Sequence, residues 1–237
     1  MLNHSSNTFR YEYQMIPHIE NGLIETLPYL KSSKNVLKGY EISLGWGVAD
    51  LVLCPQEKNN MFKPVTSLLA IQVLYSMKKN EELDLEQIYQ RTLIKKNILN
   101  GRVIYPLLNS GYIEECGDKY KKVSDIKVET RNLIAVEAKL RDWRRAFKQA
   151  LRYRLFANRV FVVLANSNIK PLIKNGGLEM YREEGIGLAT VDTHGSLQML
   201  LEAKKNKPFS FQLGILARQL LEFNQSQGFS PDNLATI

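Results

Sequence analysis

The sequence predicts an α/β protein, a mixed sheet flanked by helices and interrupted by a small helical insertion. Three observations predict it. Residues 48–53 and 133–140 are strand-like apolar runs with isolated charges, Asp50 in the first and Glu137 and Lys139 in the second. An amphipathic stretch over 142–157 leads from 133–140 to another apolar run, 159–165, the strand–helix–strand pattern of a right-handed parallel crossover. Between the charged strands, residues 58–126 change character to helical stretches followed by a hairpin.

In chain order, residues 11–30 carry Ile16, Ile19, Leu23, Ile24 and Leu27 at helical spacing, with Pro17 starting or bending the helix. Glu12, Glu20 and Glu25 are expected on its solvated face. A polar break at 31–35 precedes a strand at 36–44, a turn at Gly45-Trp46-Gly47, and the strand holding Asp50. A cap on that glycine turn is the structural alternative for Asp50. In the insertion, helices are expected over 65–77, over 85–91 behind an Asp84 N-cap, and over 97–109, where Pro106 should bend the chain and Gly111 should end it. Residues 112–123 form two short strands about Gly117-Asp118. Three helices and then a hairpin are the order of a winged helix-turn-helix, and Lys95, Lys96 and Arg102 lie near the start of its third helix, where DNA would be met. Such a module also serves to bind protein or to pack on its neighbour.

Beyond the insertion, the helix over 142–157 buries Trp143, Ala146, Phe147, Ala150, Leu151 and Leu155. Its other faces carry Arg141, Arg144, Arg145, Lys148, Arg152 and Arg154, a density suited to phosphate contacts. Gln149 and Tyr153 neighbour each other at i, i+4 on its edge. The strand at 159–165 is followed by helix over 169–184, loosened at Gly176-Gly177, and by a hairpin of 186–191 and 196–202, whose turn residue His194 reads as structural or solvent-exposed rather than catalytic. A helix over 211–223 closes the fold, and residues 224–237 read as a frayed tail.

The net charge of +8 suggests an anionic partner, nucleic acid first. No apolar run reaches bilayer length and the N-terminus lacks the plan of a secretory signal, so an intracellular, cytoplasmic protein without a membrane partner is expected. Cys54 and Cys116 are isolated, and His4, His18 and His194 are scattered, which argues against a disulfide framework, a zinc site and a His-based metal cluster.

Strand residues two apart point the same way, so Glu137 and Lys139 project side by side. An ion pair on a half-exposed strand is the bland account. Two carboxylates and a lysine are also what metal-assisted phosphodiester hydrolysis needs, since hard oxygen ligands hold Mg²⁺ and an ammonium offsets charge on the transition state. With Asp50 in one strand, Glu137-Ala138-Lys139 in the next, and Gln149 and Tyr153 spaced Gln-x-x-x-Tyr on the following helix, the chain resembles the PD-(D/E)XK, or restriction-endonuclease-like, nuclease superfamily. It departs from the pattern in having Ala49 rather than proline before Asp50, and in the long segment between Asp50 and Glu137.

The resemblance implies a restriction-endonuclease-like core in two parts, residues 1–57 and 127–237, with a winged-helix domain inserted at 58–126. It implies Mg²⁺ or Mn²⁺ held by Asp50 and Glu137, with Lys139 assisting water and Gln149 and Tyr153 supporting the site. Some members add a glutamate from the first helix, for which Glu20 is the choice here. The expected activity is metal-dependent hydrolysis of duplex or branched DNA, with Arg144, Arg145, Lys148 and Arg152 joining the insertion's cations in binding it. The alternatives are an inactive nuclease-fold DNA-binding protein acting as a regulator or subunit, and an RNA substrate. A homodimer and protein partners from the same system are compatible with either.

Overall fold

The computed structural model describes residues 8–56, 62–126 and 132–228. A 3₁₀ turn at Glu12–Met15 leads into α1 (Ile16–Thr26), and a single turn, α2 (Pro28–Lys31), follows. Both prolines stand in first turns, where the missing N–H costs nothing, so the helix expected over 11–30 is three pieces. The hairpin of β1 (Asn35–Ser43) and β2 (Val48–Gln56) comes next.

The insertion runs α3 (Leu68–Ser76), β3 (Glu82–Leu83), α4 (Leu85–Thr92), α5 (Lys96–Leu99), a π-helical turn over Asn100–Ile104, α6 (Tyr105–Ser110), β4 (Ile113–Cys116) and β5 (Lys119–Lys122). Asp84 caps α4 through Gln87 N–H, and Gly111 ends α6 at φ +80°, both as expected. The bend expected at Pro106 becomes a wider turn. Proline cannot donate to the carbonyl four residues back, and that carbonyl, Arg102 O, instead accepts from Ser67 Oγ at 3.0 Å. The insertion has its own three-stranded sheet, in the order β3-β5-β4.

The second part comprises β6 (Ile134–Lys139), α7 (Trp143–Tyr153), β7 (Arg159–Ala165), α8 (Ile169–Lys174), α9 (Gly177–Glu184), β8 (Gly187–Val191), β9 (Leu197–Leu201) and α10 (Phe211–Ser226). Residues 224–226, expected to fray, belong to α10; 229–237 lie outside the described residues. So do 1–7 and both expected insertion boundaries, at 57–61 and 127–131.

The main sheet has six strands in the order β1-β2-β6-β7-β8-β9, mixed as expected, with β6, β7 and β8 parallel and the other pairs antiparallel. One face packs Leu51, Leu53, Ile134, Val136 and Phe161 against Ile19 and Leu23 of α1. The other packs Val52, Ala135 and Val162 against α7, α10 and the insertion's helices in one apolar cluster. On that second face α10 lies close to β1, because Gly39 leaves room: a Cβ there would meet Leu221 at 2.3 Å. Among the described residues no helix is long and apolar enough to cross a membrane.

Candidate active site

Pairing of β2 with β6 runs Leu51↔Val136, Val52↔Ala135 and Leu53↔Ile134, and Asp50 and Glu137 are the next residues along their strands. Alternation along each strand places Asp50 with Val52 and Glu137 with Ala135, on one face of the sheet. Lys139, two residues on, shares it too. This is the face covered by α7 and α10. Asp50 is not a cap on the glycine turn: its Oδ2 accepts from the backbone N–H of Ala138 at 2.6 Å, which ties the two strands together at the site.

Glu137 is fully buried. Its Oε2 meets the hydroxyl of Tyr153, brought in by α7, and that hydroxyl also lies 2.5 Å from the Val48 carbonyl. A phenol has one proton to share between these two acceptors. Burial pushes the Glu137 carboxyl upward, against the pull of Tyr153 and Lys139. Glu137 Oε1 lies 2.9 Å from Lys139 Nζ, close enough for charge attraction but not aligned as a hydrogen bond. Asp50 is pushed up to about 7, first by burial and then by the Glu137 carboxylate, with Lys139 and the Ala138 N–H opposing. Burial alone would lower Lys139; the carboxylates of Asp50, Glu12 and Glu137 outweigh it and hold the ammonium above its usual range. These carboxylates thus favour the ammonium form of Lys139.

Two acidic residues of this site were not anticipated. Glu12, expected on a solvated face, reaches over the end of β6: its Oε2 is 2.8 Å from Lys139 Nζ and its Oε1 accepts from Leu140 N–H at 3.2 Å. Glu41 stands on β1 between Tyr40↔Leu51 and Ile42↔Ala49, level with Asp50, and holds a left-handed φ of +51°. Glu41 is exposed, but partial loss of solvent around its carboxyl and then the nearby Glu137 carboxylate raise its pKa. Glu12 and Lys139 meet only because the chain folds back across the strand ends, and no local spacing announces that.

Glu20, proposed as an extra ligand, does not join them. It is buried rather than solvated, and its carboxylate takes Lys38 Nζ and the Tyr40 hydroxyl. Those residues share the α1 face of β1, so the sheet itself stands between Glu20 and Asp50. Glu25 is exposed, as expected. Gln149 lies one turn before Tyr153 on α7, and its Oε1 is buried without a hydrogen-bond partner among the described residues. Arg144, Arg145, Lys148 and Arg152 all face solvent along α7. Lys95, Lys96 and Arg102 are exposed on the insertion, with Lys96 paired to Glu86.

The donor set fits a hard divalent cation in part. Asp50 and Glu137 put carboxylate oxygens on one face, and an oxygen of Glu137 lacks a directed donor. Among the described residues no group of three or more His, Cys, Asp or Glu side chains is arranged to hold a metal. Two carboxylates suffice for Mg²⁺, which keeps several waters and takes further oxygens from substrate phosphates. Comparison with known proteins finds no matching family model, no matching curated protein and no matching solved structure.

Proposed function

We propose that this chain is a metal-dependent phosphodiesterase acting on DNA, a nuclease of the PD-(D/E)XK type. The observation that supports the proposal is the pairing of β2 with β6 as far as Leu51↔Val136, which brings Asp50 beside Glu137, with Lys139 two residues further on. A buried, like-charged pair raises the energy of the protein, and a divalent cation shared between the two relieves it. Asp50 and Glu137 would hold that ion, Mg²⁺ or Mn²⁺, which when bound supplies a Lewis acid and an acidified water.

The chain's own residues do the rest. The Lys139 ammonium, steadied by Glu12, offsets negative charge that accumulates on the phosphoryl oxygens as water adds and the leaving oxygen departs. Tyr153 fixes the rotamer of Glu137 from α7. Gln149 has a buried carbonyl oxygen available to a water or substrate donor. Glu12, not Glu20, takes the part of the first-helix glutamate used by some members of the superfamily. The cations Arg144, Arg145, Lys148 and Arg152 bind the phosphate backbone beside the site. The insertion, with α3, β3, α4, the α5–α6 path and the β4/β5 hairpin in that order, is read as a winged helix presenting Lys95, Lys96 and Arg102 to duplex.

The test is cleavage of supercoiled, linear and branched DNA with Mg²⁺ or Mn²⁺ and with EDTA, using wild type, Glu137→Ala and Lys139→Ala. Metal-dependent cutting should fall at least about 100-fold in both variants. Binding without cutting by any of the three would instead favour an inactive DNA-binding role.

A further inference from the structure

Exposed aromatic side chains occur next to the strand ends that carry the carboxylates, in the β1–β2 turn before Asp50 and around Glu12, which meets the end of β6. Trp46 is 67% exposed in the β1–β2 turn, two residues before Val48, whose carbonyl receives the Tyr153 hydroxyl. Trp46, Gly47, Arg152 and Tyr153 line one small cleft. The turn backs closely onto α7, since a Cβ on Gly47 (φ +145°) would lie 3.7 Å from the Tyr153 ring and 4.0 Å from Arg152 Cδ. Near the end of β6, Tyr11 and Tyr13 bracket Glu12, the residue bonded to Lys139 and Leu140. Their rings are stacked at 5.6 Å and 12°, they are 45% and 41% exposed, and the Arg10 guanidinium lies 5.2 Å from the Tyr11 ring.

Aromatic rings left in water forgo burial that would stabilise the fold, and here they accompany cations at a site built for phosphate. A blunt duplex offers little to them, because its base faces are covered by neighbouring pairs. An unpaired strand offers a π-face at every base and a phosphate between each two, which is what aromatics interleaved with arginine engage. We infer that Trp46, with Tyr11 and Tyr13, forms a stacking platform for unpaired bases, so that the substrate class is single-stranded DNA or a single-stranded segment adjoining duplex. The inference rests on the nuclease reading of the carboxylate site. It assigns the core to the unpaired strand and leaves flanking duplex to the insertion.

Fluorescence anisotropy in EDTA tests it with three labelled probes: a single strand, a blunt duplex of the same sequence, and a splayed fork. Trp46→Ala should weaken binding of the single strand and the fork about tenfold while changing the blunt duplex less than about twofold. Trp46→Phe should restore most of the loss, and Tyr11→Ala should act in the same direction as Trp46→Ala. Trp46→Ala should melt within about two degrees of wild type because the side chain is largely exposed. Equal weakening on all three probes would overturn the platform, as would no weakening at all. If Glu137→Ala abolishes metal-dependent cutting while Trp46→Ala leaves single-strand binding unchanged, the platform falls and the nuclease stands. Selective, Trp46-dependent single-strand binding without cutting under any metal would support the platform and remove the nuclease.

Discussion

Asp50 and Glu137 adjoin the last paired step of β2 on β6, close enough for like charges to repel, and both groups are removed from most of the solvent. The consequence is a pH-dependent stability of defined sign. An unfolded aspartate titrates near 4, whereas folded Asp50 titrates at about 7. Below both values the group is protonated in either state and contributes nothing. As pH rises from about 4 to 7 the unfolded chain releases a proton that the folded chain still holds, so stability falls, by at most about 4 kcal/mol, and the penalty is complete above 7. Thermal melts in EDTA should show a Tm several degrees lower at pH 8 than at pH 5. Asp50→Asn should remove most of that difference, and millimolar Mg²⁺ should narrow it; a wild-type Tm equal at the two pH values would refute the account. At this scale the sequence was partly legible. Glu137 and Lys139 were paired by strand alternation, and Gln149 and Tyr153 by helical spacing, because both depend on neighbours a few residues away. Glu20 was misassigned because nothing local says which side of a sheet a helix will cover.

Among the elements, one side chain adds a polar join between α3 and the α5–α6 path to their apolar packing. Ser67 Oγ accepts from Ala70 N–H at 3.3 Å as the cap of α3, and donates to the carbonyl that Pro106 leaves without its helical partner. Ser67→Ala should therefore cost more than an ordinary cap, roughly 1–3 kcal/mol, read as a lowered midpoint in urea with an unchanged slope. A loss under about 0.5 kcal/mol would show that water serves that carbonyl equally well. The buried Lys122 of β5 makes a comparable join, donating to the Leu74 and Met77 carbonyls at the end of α3 while pairing with Asp125. Elements were legible where their signals are local, as with Asp84, Gly111 and Gly117. The π turn was not, because it depends on Ser67, 35 residues away from the carbonyl it serves.

For the whole molecule, the insertion is not suspended from the hairpin by its ends alone. Gln219 of α10 accepts from Val65 N–H at 2.8 Å, and Phe211 sets its edge against Tyr75 at 5.8 Å, while Arg218 holds α10 to the Pro55 carbonyl of β2. Because α10 also lies on β1, the apolar cluster runs without interruption from sheet to insertion. Denaturation should accordingly be one cooperative transition, with near-UV signals from the tyrosines of both parts coinciding with far-UV loss of helix. Two separated transitions would mean that the insertion melts independently. By itself, the sequence determined the mixed α/β class, the helices and hairpin of the insertion, and the strand and helix spacings that group Glu137 with Lys139 and Gln149 with Tyr153. Those features follow from periodicity, capping and turn chemistry, which act within a few residues. Only the tertiary structure decided that Asp50 comes beside Glu137, that Glu12 and not Glu20 reaches Lys139, that Trp46 shares a cleft with Arg152, and that α10 joins the insertion to the sheet. Each depends on strand register or on which face a distant segment covers, and those are set by packing of the whole chain.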